Sequence, residues 1–131
     1  MESVIISTET RVQLIDITER IRDVVSEKGW KDGAVLLFVP HTTAGITINE
    51  GADPDVRRDL EATLSRLVPY RGSYRHAEGN SDAHIKTTLT GNSSLVILQD
   101  GRLKLGTWQS IFFCEYDGPR TRSLWIQHLE G

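Results

Sequence analysis

An unbroken apolar run from Ala34 to Val39 stops at Pro40, and His41-Thr42-Thr43 follow at once. Six consecutive apolar residues with no helical period read as a buried strand covered on both faces. Proline cannot extend the ladder, so the chain must leave the sheet there. Polar, reactive groups are thereby delivered to the end of a core strand. Thr43 to Ile48 alternates and reads as a neighbouring strand that ends in Asn49-Glu50.

Residues 3–8 and 11–15 are rich in Val, Ile and Thr and read as a first hairpin. Asp16 with Glu19 resembles a capping box, ahead of a stripe formed by Ile17, Ile21, Val24 and Val25; Gly29 supplies the stop. A second helix starts at Asp53-Pro54, buries Val56, Leu60, Leu64 and Leu67, and ends at Pro69. Residues 70–80 have no period and read as an exposed loop. A short helix is expected from Asp82 to Leu89, capped by Asn80 or Ser81 and closed by Gly91-Asn92. Leu95–Leu98 and Arg102–Leu105 flank Asp100-Gly101, a strong hairpin signal. Trp108–Tyr116 and Thr121–Leu129 read as two more strands joined through Asp117-Gly118-Pro119. The expectation is one α+β domain over residues 1–131, with antiparallel β-sheets packed as a sandwich and two or three helices.

Composition bounds the function classes. A net charge of −3 argues against a protein held on nucleic acid by bulk electrostatics. No window is apolar enough for a membrane span, and no basic-then-apolar leader pattern is visible. Cys114 is the single cysteine and lies in an apolar run, which fits a reduced, cytoplasmic setting and an inert core thiol.

Chemistry is concentrated in three sets. His41, His76 and His84 lie on a strand end, a loop and a first helical turn. Three imidazoles suit a divalent metal, although scattered histidines also serve as surface or packing residues. His128 alternates with Leu124 and Ile126 and reads as structural. Asn49, Glu50, Asp53 and Asp55 form an acidic set: the two aspartates favour a helix start, while Glu50 is a candidate general base or ligand-orienting group. Arg120 and Arg122, with Thr87 and Thr88, are candidates for a phosphate cradle, against solvated hairpin arginines as the plainer reading. Trp108-Gln109 reads as a pocket edge or as core filling beside Gly106.

His41-Thr42-Thr43-Ala44-Gly45, Asn49-Glu50 with Asp53, His76 through Gly79-Asn80 to His84, Asp100-Gly101-Arg102-Leu103 through Trp108-Gln109, and Glu115 through Arg120 and Arg122 together resemble the YjbQ family over nearly the whole chain. The resemblance implies a YjbQ-like α+β fold that assembles as a homotrimer. It also implies a secondary thiamine-phosphate synthase activity, joining a hydroxymethylpyrimidine diphosphate to a thiazole phosphate with release of pyrophosphate. On that reading His41, His76 and His84 hold the metal, zinc rather than magnesium. Glu50, Asn80, Arg120 and Arg122 act in catalysis, and Thr42, Thr43, Asn49, Thr87, Thr88, Trp108 and Gln109 line the small phosphorylated substrate. The alternatives are a metal-dependent phosphate-ester hydrolase at the same three histidines and a non-catalytic metabolite- or metal-binding trimer.

Overall fold

A computed structural model describes residues 1–131. Eight strands and three helices follow in the order β1 (Glu2–Ser7), β2 (Gln13–Asp16), α1 (Thr18–Lys28), β3 (Gly33–Phe38), β4 (Ala44–Glu50), α2 (Pro54–Leu67), α3 (Ser81–Thr90), β5 (Ser93–Gln99), β6 (Arg102–Leu103), β7 (Gln109–Glu115) and β8 (Thr121–Glu130). They form a five-stranded sheet in the order β1-β8-β3-β5-β6 and a three-stranded sheet in the order β2-β7-β4. Every strand pair is antiparallel. The fold is the expected α+β arrangement.

The main core lies between the sheets. Val35, Leu37, Val96, Leu124 and Ile126 from the larger sheet meet Ile46, Ile111 and Phe113 from the smaller one, with Ile17 just before α1 and Ile21 and Val25 within it closing the side. A second cluster on the outer face of the small sheet packs Leu14, Phe112 and Cys114 beneath Ala83 of α3, with Leu60 and Leu64 of α2 against it. Each fully buried large aliphatic or aromatic side chain contributes about 1.5–3 kcal/mol relative to exposure. The layering therefore follows from the alternation along β7 and β8.

Three expected pairings are corrected. β1 and β2 do not form a hairpin, because β1 pairs with β8 and β2 with β7. β7 and β8 likewise belong to different sheets, and β4 is not a neighbour of β3 but pairs with β7. In each case two strands consecutive in sequence sit on opposite sides of the core. β3 is consequently buried on one face only, through Val35 and Leu37, while Ala34, Leu36 and Phe38 are half-buried on the outer face. A continuous apolar run thus does not prove two covers within one chain.

Local signals are mostly realised. Asp53 caps α2 by accepting the Asp55 N–H at 2.9 Å, and Gly29 closes α1 in the left-handed region. Asp16 does not act as a capping box with Glu19; Ile17 occupies the cap position, and Asp16 instead accepts the Thr18 N–H at 3.0 Å. Leu67 at the end of α2 is 70 % exposed rather than buried, since the helix lies over the small sheet only through its middle turns. Asp100 and Gly101 both have positive φ (52° and 76°), the geometry of a tight two-residue hairpin turn. His128 has the structural place expected of it: it stacks on Trp30, and its Nε2 lies 2.8 Å from the Asp32 carbonyl.

The links β1–β2, β3–β4 and β7–β8 all cross between the sheets at one end of the sandwich, and they bond to one another. Thr8 donates its N–H to the Arg120 carbonyl at 3.0 Å, Gly118 to Arg11 at 3.0 Å, and Tyr116 to Thr43 at 3.2 Å. That knot of crossovers holds His41.

Candidate functional site

His41 lies between Phe38 at the end of β3 and Ala44 at the start of β4. Its Nε2 accepts the backbone N–H of Ser123 on β8 at 2.9 Å. An acceptor nitrogen carries no proton, so in the neutral ring the proton resides on Nδ1. Burial pushes the His41 pKa below the ordinary histidine value, and the positive charge of Arg122 adds to that, with Glu115 opposing. At neutral pH His41 is therefore an uncharged imidazole with Nδ1–H as its donor.

Beneath it is a buried ion pair. Arg122 donates from Nε and Nη2 to both Glu115 carboxylate oxygens, the Nε contacts being 2.9 and 3.1 Å. Nη2 also reaches the Thr43 hydroxyl at 2.9 Å and its carbonyl at 3.1 Å. The Thr8 hydroxyl donates to Glu115 at 2.7 Å. Burial alone would raise the Glu115 pKa; Arg122, the Thr8 hydroxyl and the Asp117 N–H together outweigh it and hold the carboxyl below its usual range. This network joins the three crossovers and fixes the backbone on which His41 rides.

Two hollows meet at His41. One, of about 430 Å³, has no hydrophobic lining and is formed by His41, Thr42, Asn92 and, from α3, His84, Thr87 and Thr88, with Gly91. The other, of about 520 Å³, adds Phe38, Thr43, Arg120 and Arg122. Helix α3 reaches the site because Gly45 lets the backbone at Gly91 come close: a Cβ on Gly45 would sit 2.5 Å from the Gly91 carbonyl oxygen, which accepts the Ile46 N–H at 3.1 Å. Arg120 is half-exposed and paired with Asp117 at 2.8 Å.

The remaining candidate residues fall into two groups. His76 lies edge-on to His84 with ring centroids 5.5 Å apart, and the two share a separate hollow with Tyr74 and Ile85. Asn80 occupies the cap position of α3 without a side-chain cap bond and instead donates to Asp117 at 2.9 Å, which positions Asp117 beside Arg120. Asn49, Glu50, Trp108 and Gln109 lie at the opposite end of β4 from His41, where Glu50 pairs in register with Gln109. Six strand steps separate Ala44 from Glu50, roughly 20 Å. Within one chain they do not join the His41 cleft, because a strand carries its two ends to opposite edges of the sheet. Asn92 and the Ser123 amide were not singled out by sequence; a backbone donor leaves no residue-type signature.

No group of three or more His, Cys, Asp or Glu side chains comes together in a way that could hold a metal ion. His41 has one nitrogen committed to the Ser123 N–H and the other protonated, so in this orientation neither offers a lone pair. The donor set of one chain does not fit a three-histidine centre.

A two-sheet α+β domain with a polar, imidazole- and arginine-lined cleft at its crossover end defines the class. The chain belongs to the family described as UPF0047 protein YjbQ-like, which it matches over residues 2–131. It is 52 % identical to the UPF0047 protein MJ1081 of Methanocaldococcus jannaschii over 93 % of this chain and 88 % of that one. It is 49 % identical to the UPF0047 protein YugU of Bacillus subtilis, covering 95 % of each. The crystal structure of a YjbQ/UPF0047-family protein from Clostridium acetobutylicum superposes with a TM-score of 0.95 at 49 % identity, covering 98 % of this chain and 100 % of that one.

None of these names states a reaction or a substrate, and none refers to thiamine. Together with the missing three-histidine centre, this overturns the thiamine-phosphate synthase reading. The metal-dependent hydrolase and metal-binding alternatives fall with the same centre. No helix is long and apolar enough to cross a membrane.

Proposed function

We propose that the cleft binds the oxyanionic end of a small, polar, phosphorylated or carboxylated ligand directly through the protein's own donors. The observation that carries this reading is the bond from the Ser123 N–H to His41 Nε2. It commits the ring to donating from Nδ1, which suits an anionic oxygen and not a cation. Threonine hydroxyls, the second imidazole of His84 and the guanidinium of Arg120 supply further donors around the same space. Isothermal titration with inorganic phosphate tests it: binding in the millimolar range or tighter is expected, and it should be lost in His41→Ala. Equal heats for the two proteins would sink the reading.

Zinc, the cofactor expected from the resemblance, would find at most His76 and His84 from this chain, two ligands fewer than a closed structural site needs. No step is assigned to it, and metal analysis of the wild type beside His84→Ala decides whether any is held. The homotrimer is retained as a proposal. Its support is the outer face of the five-stranded sheet, where Ile5, Leu95, Ile97, Trp125 and Leu129 are exposed in one chain. A cytoplasmic location is proposed on the single buried thiol of Cys114, which burial pushes up to about 12.

A further inference from the structure

Resting on that oxyanion reading, we infer that the cleft is a two-lobed receptor whose ligand carries two oxyanionic groups, one on each side of His41, as in a small phosphorylated carboxylic acid. The two hollows share His41, Thr42 and Asn92 and otherwise have separate walls. One contains a buried hydroxyl without a hydrogen bond and the other a guanidinium with one nitrogen left over, and the two groups come from different elements.

In the lobe against α3 that group is Thr87. Its neighbours Thr88 and Thr90 turn their hydroxyls back to the carbonyls four residues earlier, at 3.0 and 3.1 Å. Thr87 does not: its Oγ1 is buried with no hydrogen bond, although the residue is only 9 % exposed and lines the cleft. A buried hydroxyl left unbonded has given up water without a replacement, so a ligand oxygen there would be rewarded. His84 stands on the same wall, half-buried, and its side-chain nitrogens make no hydrogen bond in the chain.

In the other lobe the group is Arg122, 2 % exposed. Nε and Nη2 are spent on Glu115 and Thr43, which leaves Nη1, at the opposite corner of the planar fork, as the guanidinium nitrogen without a partner. Glu115 neutralises most of the Arg122 charge. The Asp117 carboxylate beside Arg120 is shared with Asn80 and, at 3.9 Å, with Arg11, so Arg120 is only partly compensated. Planar guanidinium groups favour a carboxylate or phosphate edge. His41 lines both lobes, so its ring stands beside the atoms that would bridge the two anionic groups. A single oxyanion can satisfy one lobe only.

The test is titration of the full chain at about pH 7.5 with inorganic phosphate, glycerol 3-phosphate and 3-phosphoglycerate, the last two differing in their second anionic group. The expected result is 3-phosphoglycerate binding about tenfold or more tighter than glycerol 3-phosphate, a step of about 1.4 kcal/mol. Thr87→Val and Arg120→Gln should each remove that advantage, bringing the two ligands within about twofold of one another. Arg120 is exposed, so Arg120→Gln keeps the test decisive even where Thr87→Val unfolds. Equal affinities of the two organic phosphates for the wild type overturn the two-lobed inference while leaving the oxyanion reading standing. No binding of any of the three overturns the oxyanion reading itself, and the inference with it.

Discussion

The Ser123 amide and the His41 ring, 82 positions apart in the chain, meet at 2.9 Å with the amide donating to Nε2. This contact ties the crossover after β3 to strand β8 and sets the proton on the far side of the ring. It turns a residue that invites a metal reading into a neutral hydrogen-bond donor. Long-range ¹H–¹⁵N spectra should show His41 as the neutral Nδ1–H tautomer at pH 7. A deprotonated Nδ1 would refute the assignment.

The pH dependence of stability has a definite sign. The folded protein holds a proton on His41 less tightly than the unfolded chain does, because burial and Arg122 lower the pKa. The unfolded state then binds more protons as pH drops below about 6.5, and stability falls until the depressed folded value has been passed. Chemical denaturation at a series of pH values should show this loss in the wild type and not in His41→Gln. Glu115, and Asp82 whose burial is outweighed by bonds from Arg11 and Lys86, are both held below the usual carboxylate range and act at lower pH, below about 4, so the two windows separate.

Breaking the buried ion pair should be costly. Arg122→Met leaves the Glu115 carboxylate enclosed without its partner, and such truncations cost about 3–5 kcal/mol. The double variant Arg122→Met with Glu115→Gln should recover part of that, because the stranded charge is gone. Urea denaturation of the two proteins measures the difference; equal destabilisation would mean that the pair is not the crossover's anchor.

Helix α3 is held to the cleft by a close backbone approach, so Gly45→Ala should act on both stability and binding. The added methyl would meet the Gly91 carbonyl oxygen at 2.5 Å and the Thr90 hydroxyl at 2.7 Å. The first is backbone and cannot turn aside, and the second belongs to a short β-branched side chain, so the strain is expected to cost about 1–3 kcal/mol. Phosphate affinity should drop with it, since Thr87, Thr88 and His84 move with the helix. Unchanged affinity in a folded Gly45→Ala protein would show that α3 does not form that wall.

These relationships divide what could be read from the sequence. The cap at Asp53, the stop at Gly29 and the Asp100-Gly101 turn are local, and each was legible because one or two residues determine the geometry. The strands were legible as strands for the same reason. Their partners were not: β1 with β8 and β4 with β7 are pairings that no turn residue specifies, and the short links misleadingly resembled hairpins. His41, Thr42, Thr87, Arg120 and Arg122 could be singled out by residue type, whereas Glu50 and Gln109 could be placed only once β4 was seen to run away from the cleft. The Ser123 contact is a main-chain bond and had no signature at all.

The outer face of the five-stranded sheet supplies the last prediction. Along β5, Val96 and Leu98 point into the core while Leu95 and Ile97 point out, 62 % and 65 % exposed. Across the register Leu95 lies beside Leu36, Ile97 beside Ala34, and Phe38 beside Trp125, so the row is continuous over β5, β3 and β8. A monomer would leave this apolar strip in water, whereas association of copies would remove it. Ile97→Asp places a charge in the middle of the row without touching the interior, so the stability of a single chain should change by no more than about 0.5 kcal/mol. Sedimentation equilibrium is expected to give a trimer for the wild type and a smaller species for Ile97→Asp, with unchanged circular dichroism. A wild type that sediments as a monomer, or an Ile97→Asp protein that keeps the wild-type mass, would remove this face from the assembly.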